Sequence, residues 1–253
     1  MPKKVLITAG AAGIGRAIAE IFIENGDEVA IMDVDAKSVM QFQADFPQAM
    51  ALQADLSNLS SLEQAFNEAI VSLKHVDVLV NNLGISGPTC PTESLPVDEW
   101  SRVVQINLTS MFYLTQLAIP YLKKSSCGSV VNMASAAGRF GYPNRIAYAT
   151  TKWGVVGFTK TLAMELGADK IRVNAIAPGA VSGPRIEAVI ANKAQLSGRS
   201  LEEEAINTLK VQSLKYMAEA RDIGKLVYFL ASEAGKSISG QLIPIDGDTQ
   251  YIG

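Results

Sequence analysis

The sequence is short of the groups on which metal, disulfide and histidine chemistry depend. Two cysteines occur in 253 residues. Cys90 and Cys127 form neither a CxxC pair nor a metal-ligand spacing, so they read as ordinary thiols of a reducing cytoplasm. The only histidine, His75, argues against a histidine-centred triad and against a multi-histidine metal site, and it reads as a surface residue. No metal is expected. Lys and Arg are not clustered, and the net charge is −3, which argues against nucleic acid as a partner. Apolar runs are short and broken by Gly or charge, so none spans a membrane. Met1-Pro-Lys-Lys4 leads straight into Val5-Leu-Ile7, leaving no room for a signal peptide. Internal repeats, low-complexity tracts and linkers are also missing. What is plentiful is apolar content, 48% of residues, enough to bury the core of one α/β domain over residues 1–253.

The first forty residues alternate in period. Val5-Leu-Ile-Thr8 reads as a buried strand. Gly10-Ala-Ala-Gly13-Ile14-Gly15 follows, then Arg16 to Glu24, apolar at helical spacing, which Asn25-Gly26 ends. Glu28 to Met32 is a second strand closing on Asp33. Glycines between a strand and a helix let backbone N–H groups and the helix N-terminus approach a pyrophosphate. An acid 18 residues after Gly15 is spaced to accept from both hydroxyls of an adenosine ribose. Asp33 would repel a 2′-phosphate, and Ala12 and Val34 beside it are not basic. Arg16 is explained as a surface charge on the helix. The expected cofactor is therefore NAD rather than NADP.

Ser129 to Ala134 is another apolar strand, with Ser135 at its carboxyl end, where open α/β sheets bind ligands. A loop holding Gly138, Gly141 and Pro143 follows, and a helix begins near Ala147. Tyr148 and Lys152 are four apart and share one helix face. A free phenol titrates near 10, so service as a base at neutral pH requires stabilising the phenolate by about 4 kcal/mol. A cation about 4 Å away at an effective dielectric near 20 supplies about that much. A hydroxyl, a phenol and an ammonium can thus converge on one place.

The rest of the chain repeats the strand–helix rhythm. Met50 to Ala54 is a third strand ending in Asp55-Leu56, and Ser60-x-x-Glu63 offers a capping box for a helix to Leu73. Val76 to Val80 leads into Asn81-Asn82-Leu83-Gly84. A polar, Pro-rich loop spans 87–96, and one long helix is expected from Val97 to Lys124. Asn107 is a poor residue for its interior, so it is either exposed or held by a specific hydrogen bond. The Tyr148 helix runs to Leu166. Its Gly154 and Gly157 each weaken it by about 1 kcal/mol, which close packing, possible across a subunit boundary, would offset. Ile171 to Ala177 is a sixth strand ending in Pro178-Gly179. Residues 182–213 read as irregular, then polar and helical, a lid over the site. Ala218 to Ala231 is a helix and Gln241 to Ile245 the last strand. Seven strands alternating with helices predict a three-layer, doubly wound, seven-stranded parallel sheet.

Thr8 to Gly15, Asp33, Asp55-Leu56, Asn81-Asn82-x-Gly84, Asn107, Ser135, Tyr148-x-x-x-Lys152 and Pro178-Gly179, in this order, closely resemble the short-chain dehydrogenase/reductase family in its compact single-domain form. The resemblance covers essentially the whole chain. It implies a Rossmann fold, a nicotinamide dinucleotide, and reversible hydride transfer between a secondary alcohol and a ketone. In such a site Tyr148 is the acid or base on the substrate oxygen and Ser135 orients that oxygen. Lys152 lowers the Tyr148 pKa and holds the nicotinamide ribose, and Asn107 keeps a water between Lys152 and solvent. Gly10, Gly13, Ile14, Gly15, Asp33, Asp55, Leu56, Asn82, Gly84, Tyr148, Lys152, Pro178, Gly179 and Val181 would line the dinucleotide. The resemblance also implies a homotetramer or homodimer. The sequence departs from the family pattern three times. Ala9 replaces a glycine, and with Gly10 adjacent the turn is expected to survive. Leu83 replaces an alanine and would narrow the nicotinamide side. Gly183 stands where a hydroxyl is usual, with Ser182 the nearest substitute.

The leading expectation is an NAD-dependent dehydrogenase for a small polyol, sugar, cyclic diol or hydroxy acid. An NADPH-dependent 3-oxoacyl-type ketone reductase, a catalytically idle NAD-binding scaffold, and an epimerase or dehydratase are the alternatives. Arg185, at the start of the lid, either faces the pocket to pair with an anionic substrate or lies on the lid's wet side. Leu83, Arg139 and Tyr142 are further pocket candidates.

Overall fold

A computed structural model describes residues 2–252. Seven parallel strands, β1 (Lys4–Thr8), β2 (Glu28–Asp33), β3 (Met50–Gln53), β4 (Val78–Asn81), β5 (Ser129–Met133), β6 (Arg172–Pro178) and β7 (Leu242–Ile245), form one sheet in the order β3-β2-β1-β4-β5-β6-β7. Side chains of a strand alternate between faces, and both faces here are covered. Val5 and Ile7 of β1 pack with α1 (Gly13–Glu24), α2 (Ala36–Asp45) and α9 (Ala220–Ala231), through Ile18, Phe22, Phe42, Val227 and Leu230. Leu6 points the other way, towards α3 (Leu59–Leu73), α5 (Ser110–Leu122) and α6 (Ile146–Leu166), through Phe66, Leu114 and Leu162. A strand buried on both sides has no reason to alternate polar with apolar, which is why β1, β4 and β5 are short apolar runs. The expected three-layer Rossmann architecture is the one observed. The strand order reverses its direction of growth between β1 and β4, and the crevice above that junction is where ligands bind in this topology.

Four local expectations give way to tertiary contacts. The cap of α3 is Asn58, whose side chain accepts from Ser60 N and Ser61 N. Glu63, read as half of a capping box, instead accepts from the Tyr113 hydroxyl at 2.6 Å. The single helix expected over 97–124 is two, α4 (Val97–Val104) and α5, joined by a π turn at Gln105–Thr109. Widened turns of this kind recur at functional sites, and this one carries Asn107 inward, 1% exposed. Residues 182–213 are not irregular at their start: Pro184 opens α7 (Pro184–Ser197), and Ser200 and Glu203 form a reciprocal capping box on α8 (Leu201–Lys210). Pro is well suited to the first turn, where its missing N–H is not needed. Finally, Gly154 faces Leu108 of the same chain, which a Cβ there would approach to 2.9 Å, whereas Gly157 faces open space.

The turn after β1 survives its missing glycine at a cost. Ala9 takes φ +50°, in the left-handed region, where a Cβ costs about 1–2 kcal/mol. The chain tolerates this because Asn82 Nδ2 donates to both the Thr8 and Ala9 carbonyls, at 3.1 and 3.0 Å. Thr8 Oγ1 accepts in turn from Asn82 N and Leu83 N, both at 3.0 Å. We expect Ala9→Gly to stabilise the fold by about 0.5–1 kcal/mol, the strain relieved less the added freedom of the unfolded chain. Chemical denaturation measures it; a destabilised variant would show that the turn is unstrained.

Candidate active site

The site assembles at the carboxyl ends of the central strands. β5 ends at Met133, and Ser135 follows, half-buried beside the short turn Ala136–Gly138 whose Ala137 N it caps at 3.1 Å. Gly138 lets this turn lie against α6, since a Cβ there would come within 2.7 Å of the Lys152 carbonyl. The first two turns of α6 present Tyr148 and Lys152 on one face, as their spacing requires. Lys152 is 3% exposed and donates its ammonium to the Met133 carbonyl at 2.7 Å. Its Nζ lies 5.7 Å from the centre of the Tyr148 ring.

Two further cations flank the same ring. Arg145 Cζ is 5.2 Å and Arg185 Cζ 5.9 Å from its centre. Burial alone would raise the Tyr148 phenol. Lys152, Arg185, a hydrogen bond to Ser135 and Arg145 act against it and together leave the phenol below its ordinary range. Burial also holds the Lys152 ammonium below its ordinary range. Both groups therefore release a proton more readily than they would in water. Neighbouring Tyr142 lacks this balance, and burial pushes it up.

Asn107 is part of the framework. Its Oδ1 accepts from Ile85 N at 2.8 Å, and its Nδ2 donates to Ile85 O and to Thr151 Oγ1. It therefore ties the segment after β4 to α6 one residue before Lys152, and solvent exposure is excluded. A Cβ on Gly84 would stand 3.3 Å from Lys152 Nζ and 3.4 Å from Asn107 Oδ1, so Gly84 leaves a small space at which both polar groups meet.

The other half of the crevice suits a dinucleotide. A Cβ on Gly15 would lie 2.0 Å from the Ala9 carbonyl, so only glycine lets the loop and helix approach this closely. The α1 N-terminus has Ala12 at its cap, no side-chain cap and no acid in its first turn. Its N–H groups and positive dipole end are left for an anion. Gly13, at φ +54°, leaves open space where a Cβ would stand, and Ile14 packs on the core beneath. Asp33 accepts from Ala11 N at 3.1 Å and Asp35 N at 3.2 Å, one on each carboxylate oxygen. Each oxygen keeps a lone pair for a ribose hydroxyl. Asp55 is exposed at the end of β3, its carboxyl held down by Ser57, whose hydroxyl donates at 2.7 Å. The Leu56 side chain is 3% exposed in the core, so only its backbone could face a ligand. At the far side, Gly179 N donates to Ile245 O and Val181 pairs with Ala218, which sets the Pro178–Val181 backbone along the crevice.

A cavity of about 310 Å³ opens beside Ser135, Pro178 and Gly179. The α7–α8 hairpin and the tail residues Tyr251 and Ile252 contribute to its walls, as does Tyr142. Leu83 and Arg139 are not among them. Leu83 packs on the core cluster with Leu56 and Leu114, and Arg139 is paired with buried Asp246 at 2.5 Å. That pair belongs to the scaffold: a Cβ on Gly179 would meet Asp246 Cα at 2.8 Å. Gly183 takes φ +134° at the start of α7, a conformation in which a hydroxyl-bearing residue would be strained. Sequence reasoning overlooked Arg145, Lys193 and the C-terminal tail. Arg145 stands at the N-cap of α6, three residues before Tyr148, where the fold rather than a helix spacing brings it over the ring.

Residues 9–248 match a family model described as enoyl-(acyl carrier protein) reductase. The chain belongs to the short-chain dehydrogenase/reductase family. It is 34% identical over 182 residues to 2-dehydro-3-deoxy-L-rhamnonate dehydrogenase (NAD(+)) of Sphingomonas sp., covering 72% of this chain and 73% of that one. It is 32% identical to a 3-oxoacyl-[acyl-carrier-protein] reductase of Thermotoga maritima, covering 97% of this chain and 96% of the relative. The crystal structure of NAD+-bound xylitol dehydrogenase superposes with a TM-score of 0.91 at 26% identity, covering 97% of this chain and 98% of the other. Like these relatives, the chain is an oxidoreductase of the nicotinamide-dependent kind. Among the described residues no helix is long and apolar enough to cross a membrane.

Among the seven tyrosines, Tyr148 should titrate as an early phenol in ultraviolet difference spectra, below the ordinary value of about 10. The early phase should vanish in Tyr148→Phe and move to higher pH in Lys152→Met, since the cation that stabilises the phenolate is gone. An early phase that persists in Tyr148→Phe would assign it to another residue.

Proposed function

We propose that the protein is an NAD-dependent dehydrogenase that interconverts a small secondary alcohol and its ketone, of the polyol, sugar, cyclic diol or hydroxy acid type. The observation that carries this reading is the Ser135–Tyr148–Lys152 cluster, with its lowered phenol, whose Ser135 lines a cavity of about 310 Å³. When bound, the dinucleotide supplies the hydride acceptor or donor. The chain supplies the rest. Ser135 holds the substrate oxygen, and Tyr148 as phenolate takes the alcohol proton during oxidation, or as phenol returns it during reduction. Lys152 keeps the phenolate stable and meets the nicotinamide ribose, and Asn107 holds the α6 face in place. Gly10, Gly13, Ile14, Gly15, Asn82 and Gly84 form the dinucleotide-side wall, with the Asp55-Leu56 segment at the adenine end and Pro178, Gly179 and Val181 at the carboxamide.

NAD over NADP is supported by charge. Asp33 and Asp35 bring two carboxylates to the end of β2, and the nearest cation on α1, Arg16, is already engaged. It donates to Glu20 at 2.9 Å and Asp45 at 2.6 Å. A relative named for NAD(+) supports the same choice. A second reading, an NADPH-dependent 3-oxoacyl-type reductase, has the support of the Thermotoga relative, and Asp33 is the residue that opposes it. Phe112 on α5 and Trp153 on α6 are each 50% exposed. Together with the open flank at Gly157 they support a homodimer or homotetramer.

Turnover followed by reduced-nicotinamide absorbance tests the reading on a panel of polyols, sugars, cyclic diols and hydroxy acids. NAD should be preferred over NADP by about 100-fold, because a phosphate dianion near an ionised carboxylate is disfavoured by a few kcal/mol. Asp33→Ala should cut that ratio to about tenfold or less. Tyr148→Phe should abolish turnover while leaving the NAD dissociation constant within about threefold. A wild-type preference for NADP would favour the second reading.

A further inference from the structure

The cations around Tyr148 outnumber what proton transfer requires. Lys152 alone provides a charge beside the phenol, yet Arg145 and Arg185 stand over the same ring. None of the three has a carboxylate within 4.0 Å among the described residues. Their surroundings differ. Lys152 is buried and committed to the Met133 carbonyl. Arg145 is 4% exposed, reaches Ser86 O and Thr89 Oγ1, and stacks between Tyr142 and Tyr148. Arg185 is exposed and makes no side-chain hydrogen bond among the described residues. It sits in the first turn of α7, whose N-terminal dipole adds positive potential, with Glu187 of the same turn the only acid there. The adjoining cavity adds Arg199 and Lys210, with Glu204 paired to Arg199 at 3.0 Å. This concentration of positive charge occurs in a chain of net charge −3.

Resting on the dehydrogenase reading above, we infer that the substrate is a hydroxy or oxo acid, and that Arg185 receives its carboxylate beside the reacting carbon. A guanidinium presents a planar fork of donors that matches a carboxylate. Its position 5.9 Å from the Tyr148 ring centre places the anion near the carbonyl end of the substrate rather than at the far end of the cavity. The anion compensates a cluster that the protein's own acids leave positive. It also confines the substrate under α7. An Arg185 that served only to lower the Tyr148 phenol would act alike on charged and neutral substrates, so charge discrimination separates the two roles.

The test measures binding by calorimetry to the NAD-loaded protein. The probes are lactate and 3-hydroxybutyrate, each against its neutral amide. At least one acid should bind about 30-fold more tightly than its amide, as a charge-assisted pair requires. Arg185→Leu should reduce that ratio to about threefold, and Arg185→Lys should retain part of it. No acid outbinding its amide, or an acid preference untouched in Arg185→Leu, overturns the inference. Turnover of neutral polyols without acid–amide discrimination sinks the anion alone. Failure of the protein to bind NAD sinks the reading beneath it.

Discussion

Burying the ammonium of Lys152 is the constraint to which the site answers. A lysine that is 3% exposed loses its hydration and must recover it from fixed partners. It does so through the Met133 carbonyl at 2.7 Å, and its charge in turn helps hold the Tyr148 phenol below its ordinary range. The same burial demands that β5, the Ser135 turn and α6 keep a fixed mutual position. Gly138 allows the turn to lie against the Lys152 carbonyl, and Asn107 ties α6 to the segment after β4 through Thr151. The chemistry and the packing are therefore one arrangement. A phenol poised to exchange a proton is what remains when a buried cation is compensated.

A second brace holds the other half of the crevice. Asn82 binds the Thr8 and Ala9 carbonyls across the junction where the sheet reverses its growth. Below it, Asn81 donates to Asn132 Oδ1 and Thr115 Oγ1, and Asn132 donates to Thr159 Oγ1. This buried polar ladder crosses from α5 through β4 and β5 to α6. Its partners specify one register where apolar side chains would tolerate several. The crevice floor is thus rigid, while its roof, the α7–α8 hairpin, is a helical unit added at the carboxyl ends of the strands. The division suits an enzyme whose cofactor chemistry is constant and whose substrate pocket is individual.

The layout of the fold and the positions of Ser135, Tyr148 and Lys152 were legible because their signals are local. Strand and helix periods, a glycine turn and an i, i+4 spacing follow from backbone geometry within a few residues. Asn107 was legible only as an anomaly, a residue poorly suited to a helix interior. The π turn that explains it depends on Ile85 and Thr151, distant in sequence. The expected capping box at Ser60 failed for the same kind of reason: Asn58 was available for the cap, and Tyr113, 50 residues away, claimed Glu63.

The sequence by itself determined the parallel sheet, the glycine turn after β1 and the i, i+4 spacing of Tyr148 and Lys152. Tertiary structure alone decided where the remaining charges go. Arg139 is removed from the pocket by Asp246, 107 residues along the chain, and Arg16 is spent on Glu20 and Asp45. Arg145 and Arg185 are brought over one phenol from different elements. Charges act through space across distances that the chain order does not encode, so whether an arginine is a surface residue, a brace or part of a site is settled only when the fold has placed its neighbours.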